Sequence, residues 1–166
     1  MCREYTDEDV PDEDVDRILD LAARFPSAGH TQPQEFIVVR DRAVKDQLGR
    51  AAFDQMFLAE APVVIAVISD TERSRRGYGR RGVEFYSVVD GAFASMLVLL
   101  AAVDRRLGAA FVAAFDDEAV AGVLGLPRHV RPIGLIAIGR CAEPTERLRR
   151  RRRADIRHRD RYGIGA

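Results

Sequence analysis

The chain has 166 residues, enough for one domain with a real core, and its 47% apolar and 31% charged side chains are ordinary for a globular protein. Its 26 basic and 26 acidic side chains balance, so no net field draws the whole molecule onto nucleic acid or a membrane surface. The two cysteines, Cys2 and Cys141, are too few for a disulfide framework; they and the charged residues directly after Met1 predict a reducing, cytoplasmic setting without a signal peptide.

In chain order, Pro11 to Phe25 reads as a helix. Acidic residues crowd its first turn, where the helix dipole favours negative charge, and Val15, Ile18, Leu19 and Ala22 share one face. Pro26 ends it, because the residue before a proline avoids the α region. Phe36 to Val39 predicts a short strand, Arg42 to Leu58 a helix and Val63 to Ser69 a buried strand. Thr71 to Arg81, charged and glycine-containing, predicts a loop.

Val83 to Arg106 predicts one long helix that is apolar nearly all round, through Val88, Val89, Phe93, Met96, Leu97, Leu100 and Val103 among others. Such a helix must be covered all round. At 1.5 Å per residue it is roughly 35 Å long, against a radius of gyration of roughly 15 Å for a domain of this size. Either other helices of the chain cover it or a second copy does; a homodimer is the expectation carried forward. Its uncharged run, Gly91 to Val103, is shorter than the roughly 20 residues a membrane span needs. Ala109 to Ala113 predicts a strand, Asp116 to Leu124 a helix ended by Gly125, Ile133 to Ile138 a strand, and Arg147 to Gly165 an arginine-rich polar tail. There is no internal repeat and no domain boundary, so residues 1–166 read as a single domain. The long helix breaks any regular βαβ count, which points to α+β.

Several motifs carry little. Gly77-Tyr78-Gly79-Arg80-Arg81-Gly82 matches G-x-G-x-x-G, but a dinucleotide fingerprint needs its first glycine at the very end of a strand, and Asp70 to Arg76 intervene. His30, His129 and His158 have no metal-ligand spacing with each other or with cysteine, so no metal is expected. Neither cysteine has a nucleophile's context and there is no G-x-S-x-G elbow, so no catalytic side chain is named; the hard chemistry of an enzyme of this kind comes from a cofactor. The run Arg147, Arg149, Arg150, Arg151, Arg152, Arg153 reads as a solvated tail, a phosphate clamp or a nucleic-acid patch; without interleaved aromatics or a reading module, nucleic acid is not expected.

The most informative segment is Arg24-Phe25-Pro26-Ser27-Ala28-Gly29-His30-Thr31-Gln32-Pro33-Gln34-Glu35-Phe36-Ile37-Val38-Val39. Locally it is a connecting loop rich in turn formers. It also resembles the nitroreductase family's Ala-Pro-Ser-x-x-Asn-x-Gln-Pro-Trp and following strand. The likeness extends over most of the chain. Arg3 to Pro11 is similar to the family's Arg-x-Phe-x-x-x-x-Val opening, Glu60 to Ile65 to its Ala-Pro strand entry, and Asp90 to Gly108 to its long central helix. Phe111 to Asp116 with Leu124-Gly125-Leu126-Pro127, Ile133 to Gly139, and Arg149 to Tyr162 complete the series.

This resemblance implies a three-layer sandwich with a central mixed β-sheet flanked by helices, homodimeric, with FMN at the dimer interface. It implies transfer of a hydride from NADH or NADPH through flavin N5 to a small acceptor such as a quinone or nitro compound. By position, Pro26, Ser27, Ala28 and His30 would meet the flavin of the partner subunit and Gln32 would stand near the ring edge. Ala113 and Ala114 would offer backbone N–H groups toward N5 and O4, and Arg3 would sit near N1 and O2, where a guanidinium stabilises the charge of the reduced ring. The family's Arg-Arg-Ser-x-Arg opening survives only as Arg3, so either the true start lies upstream, or Arg149 and Arg150 of the tail hold the phosphate, or FMN binds weakly. That loss also motivates an alternative, a flavin-free or weakly binding member serving as a partner subunit; a relative that consumes the flavin as a reagent is a third reading.

Overall fold

The computed structural model describes residues 1–144 and 148–164; Arg147 and Gly165, the ends of the expected tail, lie outside the described residues. The elements are α1 (Asp12–Ala22), β1 (Gln34–Val39), α2 (Arg42–Ala51), α3 (Phe57–Glu60), β2 (Val63–Asp70), α4 (Thr71–Arg81), α5 (Ser87–Asp104), β3 (Gly108–Val112), α6 (Asp117–Leu124) and β4 (Val130–Gly139). A π-helical turn, Gly82–Tyr86, joins α4 to α5.

The sheet has the order β1-β2-β4-β3, and every neighbouring pair among the described residues is antiparallel. The implied mixed sheet is therefore antiparallel between neighbours: β2 and β3, joined by a helical crossover, point the same way, but β4 lies between them. The α+β, three-layer arrangement is as expected. Alternate residues of β2 point to opposite faces. Val63, Ile65 and Val67 join Ile136 and Ile138 under α1 and α5. Val64 and Ala66 join Leu135 and Ala137 with Leu48, Leu58 and Val120 from α2, α3 and α6. Helices on both faces explain why β2 is a continuous apolar run.

Three expectations need correction. Arg42 to Leu58 is two helices, because Phe53 and Asp54 take left-handed φ values of 56° and 61°. Thr71 to Arg81 is helical rather than a loop: the Asp70 carboxylate accepts the Glu72 and Arg73 N–H groups, capping the first turn, and Thr71 and Ser74 are buried beneath it. The two cysteines, although no framework, are joined in one disulfide that spans 139 residues of sequence, with Cα atoms 5.7 Å apart. The Cys2 N–H donates to the Ala109 carbonyl of β3 and Tyr5 bridges to Cys141 just past β4, so the N-terminal segment runs beside the ends of these two strands.

The helical stretch Thr71–Asp104 is long and apolar enough, by length and composition alone, to cross a membrane. It is not one rod. The backbone breaks at Gly79 (φ 55°, ψ −137°), and the chain folds back until a Cβ on Gly82 would stand 2.2 Å from the Ser74 carbonyl oxygen. Beyond the break, α5 packs Ala94, Val98, Ala101 and Ala102 into the core. Its other side is bare: Phe93 is 48% exposed, Met96 54%, Leu100 58% and Val103 67%. A single chain thus covers this helix on one face only.

Candidate functional site

The turn between α1 and β1 holds five of the expected site residues. Ser27 is extended, Ala28–His30 make one 3₁₀ turn, and the chain enters β1 at Gln34. Gly29, His30 and Gln32 lie at φ values of 53°, 56° and 45°. Left-handed backbone is unfavourable for His and Gln, and it persists where surrounding bonds over-determine it. Those bonds are present. The His30 N–H donates to the Ser27 carbonyl at 3.0 Å, and the Gln32 N–H donates to the Ser27 hydroxyl at 3.0 Å. The Thr31 N–H and hydroxyl both donate to the Ala28 carbonyl, at 3.1 and 3.0 Å.

Two side chains anchor the turn from outside. Arg73 of α4 donates to the Gln32 carbonyl at 3.0 Å and pairs with Glu35 at 3.2 Å. Asp90 of α5 accepts the Ala28 N–H on both carboxylate oxygens, at 3.1 and 3.2 Å. Asp90 is 2% exposed, and burial raises its pKa above the ordinary carboxylate range, with the Ala28 N–H partly offsetting this. Tyr78 covers the turn: a Cβ on Gly29 would come within 2.6 Å of the Tyr78 hydroxyl, so a side chain there would displace that ring, and the left-handed φ of 53° already favours glycine. Tyr78 in turn stacks edge-on against Tyr86, and the Arg81 guanidinium lies 4.8 Å from the Phe85 ring.

The remaining expected residues lie elsewhere. Ala113 and Ala114 are exposed in the link from β3 to α6, beyond the last paired residues Val112 and Leu135; Gln55 donates to the Ala114 carbonyl at 3.2 Å. Arg3 is exposed on the N-terminal segment with its guanidinium 5.6 Å from the Phe57 ring centre. Tyr5 fixes that segment by donating to the Cys2 carbonyl at 2.8 Å, and burial pushes the Tyr5 phenol well above its usual range. Arg149 and Arg150 line a shallow cavity of about 340 Å³ with Arg151, Arg152 and Asp155. Arg152 is paired with Asp155 at 3.0 Å, whereas Arg149 and Arg150 have no carboxylate partner among the described residues.

One chain does not bring these pieces together. Gln34, at the turn, is level with Arg131 of β4 through Ser69, whereas Cys2 packs on Gly108, which is level with Gly139. The distance from Arg131 to Gly139 along β4 is about 26 Å at the rise of a strand. Arg3 and the Pro26 turn therefore sit at opposite ends of the sheet. Asp90, Arg73 and Tyr78 were not visible as site residues from sequence. An acidic residue set among the small and apolar residues of a helix was the one available sign, and only for Asp90.

The Gly77–Gly82 glycines fall within α4 and the turn after it, not at a strand end, which removes the dinucleotide fingerprint. The sequence matches the nitroreductase family over residues 1–58 and 54–140. It is 34% identical to an NADH dehydrogenase of Thermus thermophilus, over 88% of this chain and 86% of that protein. It is 26% identical to an FMN reductase [NAD(P)H] of Bacillus subtilis, over 96% and 70%. The crystal structure of a nitroreductase family protein from Streptococcus pneumoniae superimposes with a TM-score of 0.86 at 26% identity, over 95% of this chain and 94% of that one. These relatives are oxidoreductases by name, and sequence and fold agree: the chain belongs to the nitroreductase family.

Proposed function

We propose that this protein is an FMN-dependent NAD(P)H oxidoreductase that works as a homodimer on a small acceptor such as a quinone or nitro compound. The observation that carries the reading is the pairing of two features on α5. Its inner side holds the exposed, left-handed Pro26–Gln32 turn through Asp90, and its outer side is a bare apolar stripe. A second copy laid on that stripe brings one chain's turn toward the other chain's Arg3 end, which a single chain cannot do.

The residues present fit the cofactor. Arg149 and Arg150, unpaired with carboxylates among the described residues, suit a phosphate, where guanidinium groups bind two oxygens at once. Ala113 and Ala114 offer backbone donors whose side chains do not matter. Pro26, Ser27, Ala28, His30 and Gln32 would present the turn to the ring of the partner's cofactor, and Arg3 would place positive charge near N1 and O2. Bound FMN would supply the redox chemistry, accepting a hydride from NADH or NADPH and passing reducing equivalents to the acceptor. The chain's own part is to orient the reactants and hold charge, which is why no catalytic acid, base or nucleophile is required of it. A cytoplasmic setting belongs to this reading.

The purified dimer should be yellow, or become so on adding FMN, and should oxidise NADH or NADPH faster when a quinone is present. A protein that stays colourless after FMN addition would defeat the reading. One observation favours the flavin-free alternative: Arg3, the guanidinium expected beside N1 and O2, rests on the Phe57 ring instead. Retention of FMN through exhaustive dialysis would reject that alternative.

A further inference from the structure

The inner face of α5 is built from small residues, Gly91, Ala94, Ser95, Ala101 and Ala102, that let the helix lie close to the sheet. Asp90 interrupts this pattern. Packing does not call for a carboxylate there, and the cost of removing one from water is large. No salt bridge to Asp90 occurs among the described residues. Its recorded hydrogen bonds are the two from the single Ala28 N–H. The group it holds belongs to a half-exposed residue at the centre of a turn whose neighbours are in unfavourable backbone conformations. The internal bonds of the turn run from residue to residue within it. Asp90 and Arg73 are the side chains that tie it to the body of the protein, and Arg73 reaches only its far end, at Gln32.

We propose that Asp90 is the positioning residue of the cofactor site: its buried carboxylate fixes the Ala28 N–H, and through it the surface that the Pro26–His30 turn offers to FMN across the dimer contact. This rests on the FMN reading above. The buried charge is accordingly kept for geometry rather than for stability, and the same helix that carries the dimer stripe sets the turn's position relative to that stripe.

Three variants test this: Asp90→Ala, Asp90→Asn, and Ser95→Ala as a control. Ser95 is also buried on α5, but its hydroxyl donates to the Gly91 carbonyl of its own helix and does not touch the turn. FMN binding is followed by quenching of flavin fluorescence, and the turn by hydrogen exchange of the Ala28 to Gln32 amides in the FMN-free protein. Loss of a hydrogen bond to a charged group predicts FMN affinity about 10- to 100-fold weaker in Asp90→Ala. The Ala28 amide should exchange at least about 10-fold faster in that variant. Asp90→Asn keeps a carbonyl acceptor and should recover affinity to within about 3-fold of wild type. Ser95→Ala should leave both readouts unchanged even if its melting temperature falls. Wild-type affinity in Asp90→Ala overturns the proposal, as does equal weakening in Ser95→Ala. If the wild-type protein binds no FMN, the FMN reading fails by itself. The exchange data then decide whether Asp90 holds the turn, with unchanged Ala28 protection counting against it.

Discussion

The two sides of α5 reverse the usual order of a helix in a small domain. Toward the sheet it presents Gly91, Ala94, Ser95, Val98, Ala101 and Ala102, nearly all small and buried. Toward solvent it presents Phe93, Met96, Leu100 and Val103, larger and about half exposed or more. The spacing of the outer four, three then four then three, is that of a helix seam that meets a partner. A large apolar patch on an isolated chain signals a surface meant to be covered. The inner face sets how close the helix lies to its own core, and the outer face sets what it does with another molecule.

The largest way to probe this contrast is a charge on each side. Val98→Asp places an unpaired carboxylate among fully buried side chains and should cost at least about 4 kcal/mol, lowering the melting temperature by about 10 °C or preventing folding. Met96→Glu with Leu100→Glu changes the exposed side. That variant should keep the wild-type far-ultraviolet circular dichroism, sediment as a single chain and lose at least about 100-fold in FMN affinity. A wild-type protein that sediments as a monomer would remove the comparison's second half.

Arg149→Ala with Arg150→Ala asks whether the tail belongs to the assembled site. FMN should bind about 10- to 100-fold more weakly while riboflavin, which lacks the phosphate, binds as before. Equal weakening of both ligands would place these arginines outside the phosphate site.

The smallest effect concerns Asp90. Burial raises its pKa in the folded chain, so on acidification the folded state takes up the proton before the unfolded state does. Its stabilising contribution is full below the ordinary carboxylate value of about 4 and is lost as pH rises through the raised one. Against Asp90→Asn, which does not titrate, the melting temperature of the wild type should gain as pH is lowered from neutral toward the ordinary carboxylate value of about 4. A constant gap would show that burial does not perturb this group.

Much of the fold was legible because its signals are local. Val15, Ile18 and Ala22 mark α1 by period, and Val63 to Ile68 mark β2 by an unbroken apolar run. The α4 helix escaped because its eleven residues hold five arginines and two glycines and no apolar stripe; the Asp70 cap and the contact with Glu35 make it a helix, and the latter is a tertiary fact. The β4 strand begins at Val130, earlier than expected, because Pro132 lies where the register with β2 shifts between Val67 and Ile68, a place that tolerates a missing N–H. The Pro26 turn could be located from sequence, but its two anchors could not. Asp90 lies 62 residues from Ala28, and Arg73 lies 41 from Gln32. Nothing in their local sequence says that they converge.

The placement of Arg3 and the Pro26 turn at opposite ends of the sheet has a genetic consequence under the proposed assembly. A symmetric pair then holds two pockets, each built half from one chain and half from the other. A lesion at the turn in one copy and a lesion at Arg3 in the other fall in the same pocket and leave the second whole. The same two lesions carried on one copy are shared out and spoil both. Two defective alleles could therefore complement each other, while a single doubly altered allele would silence a normal one it pairs with.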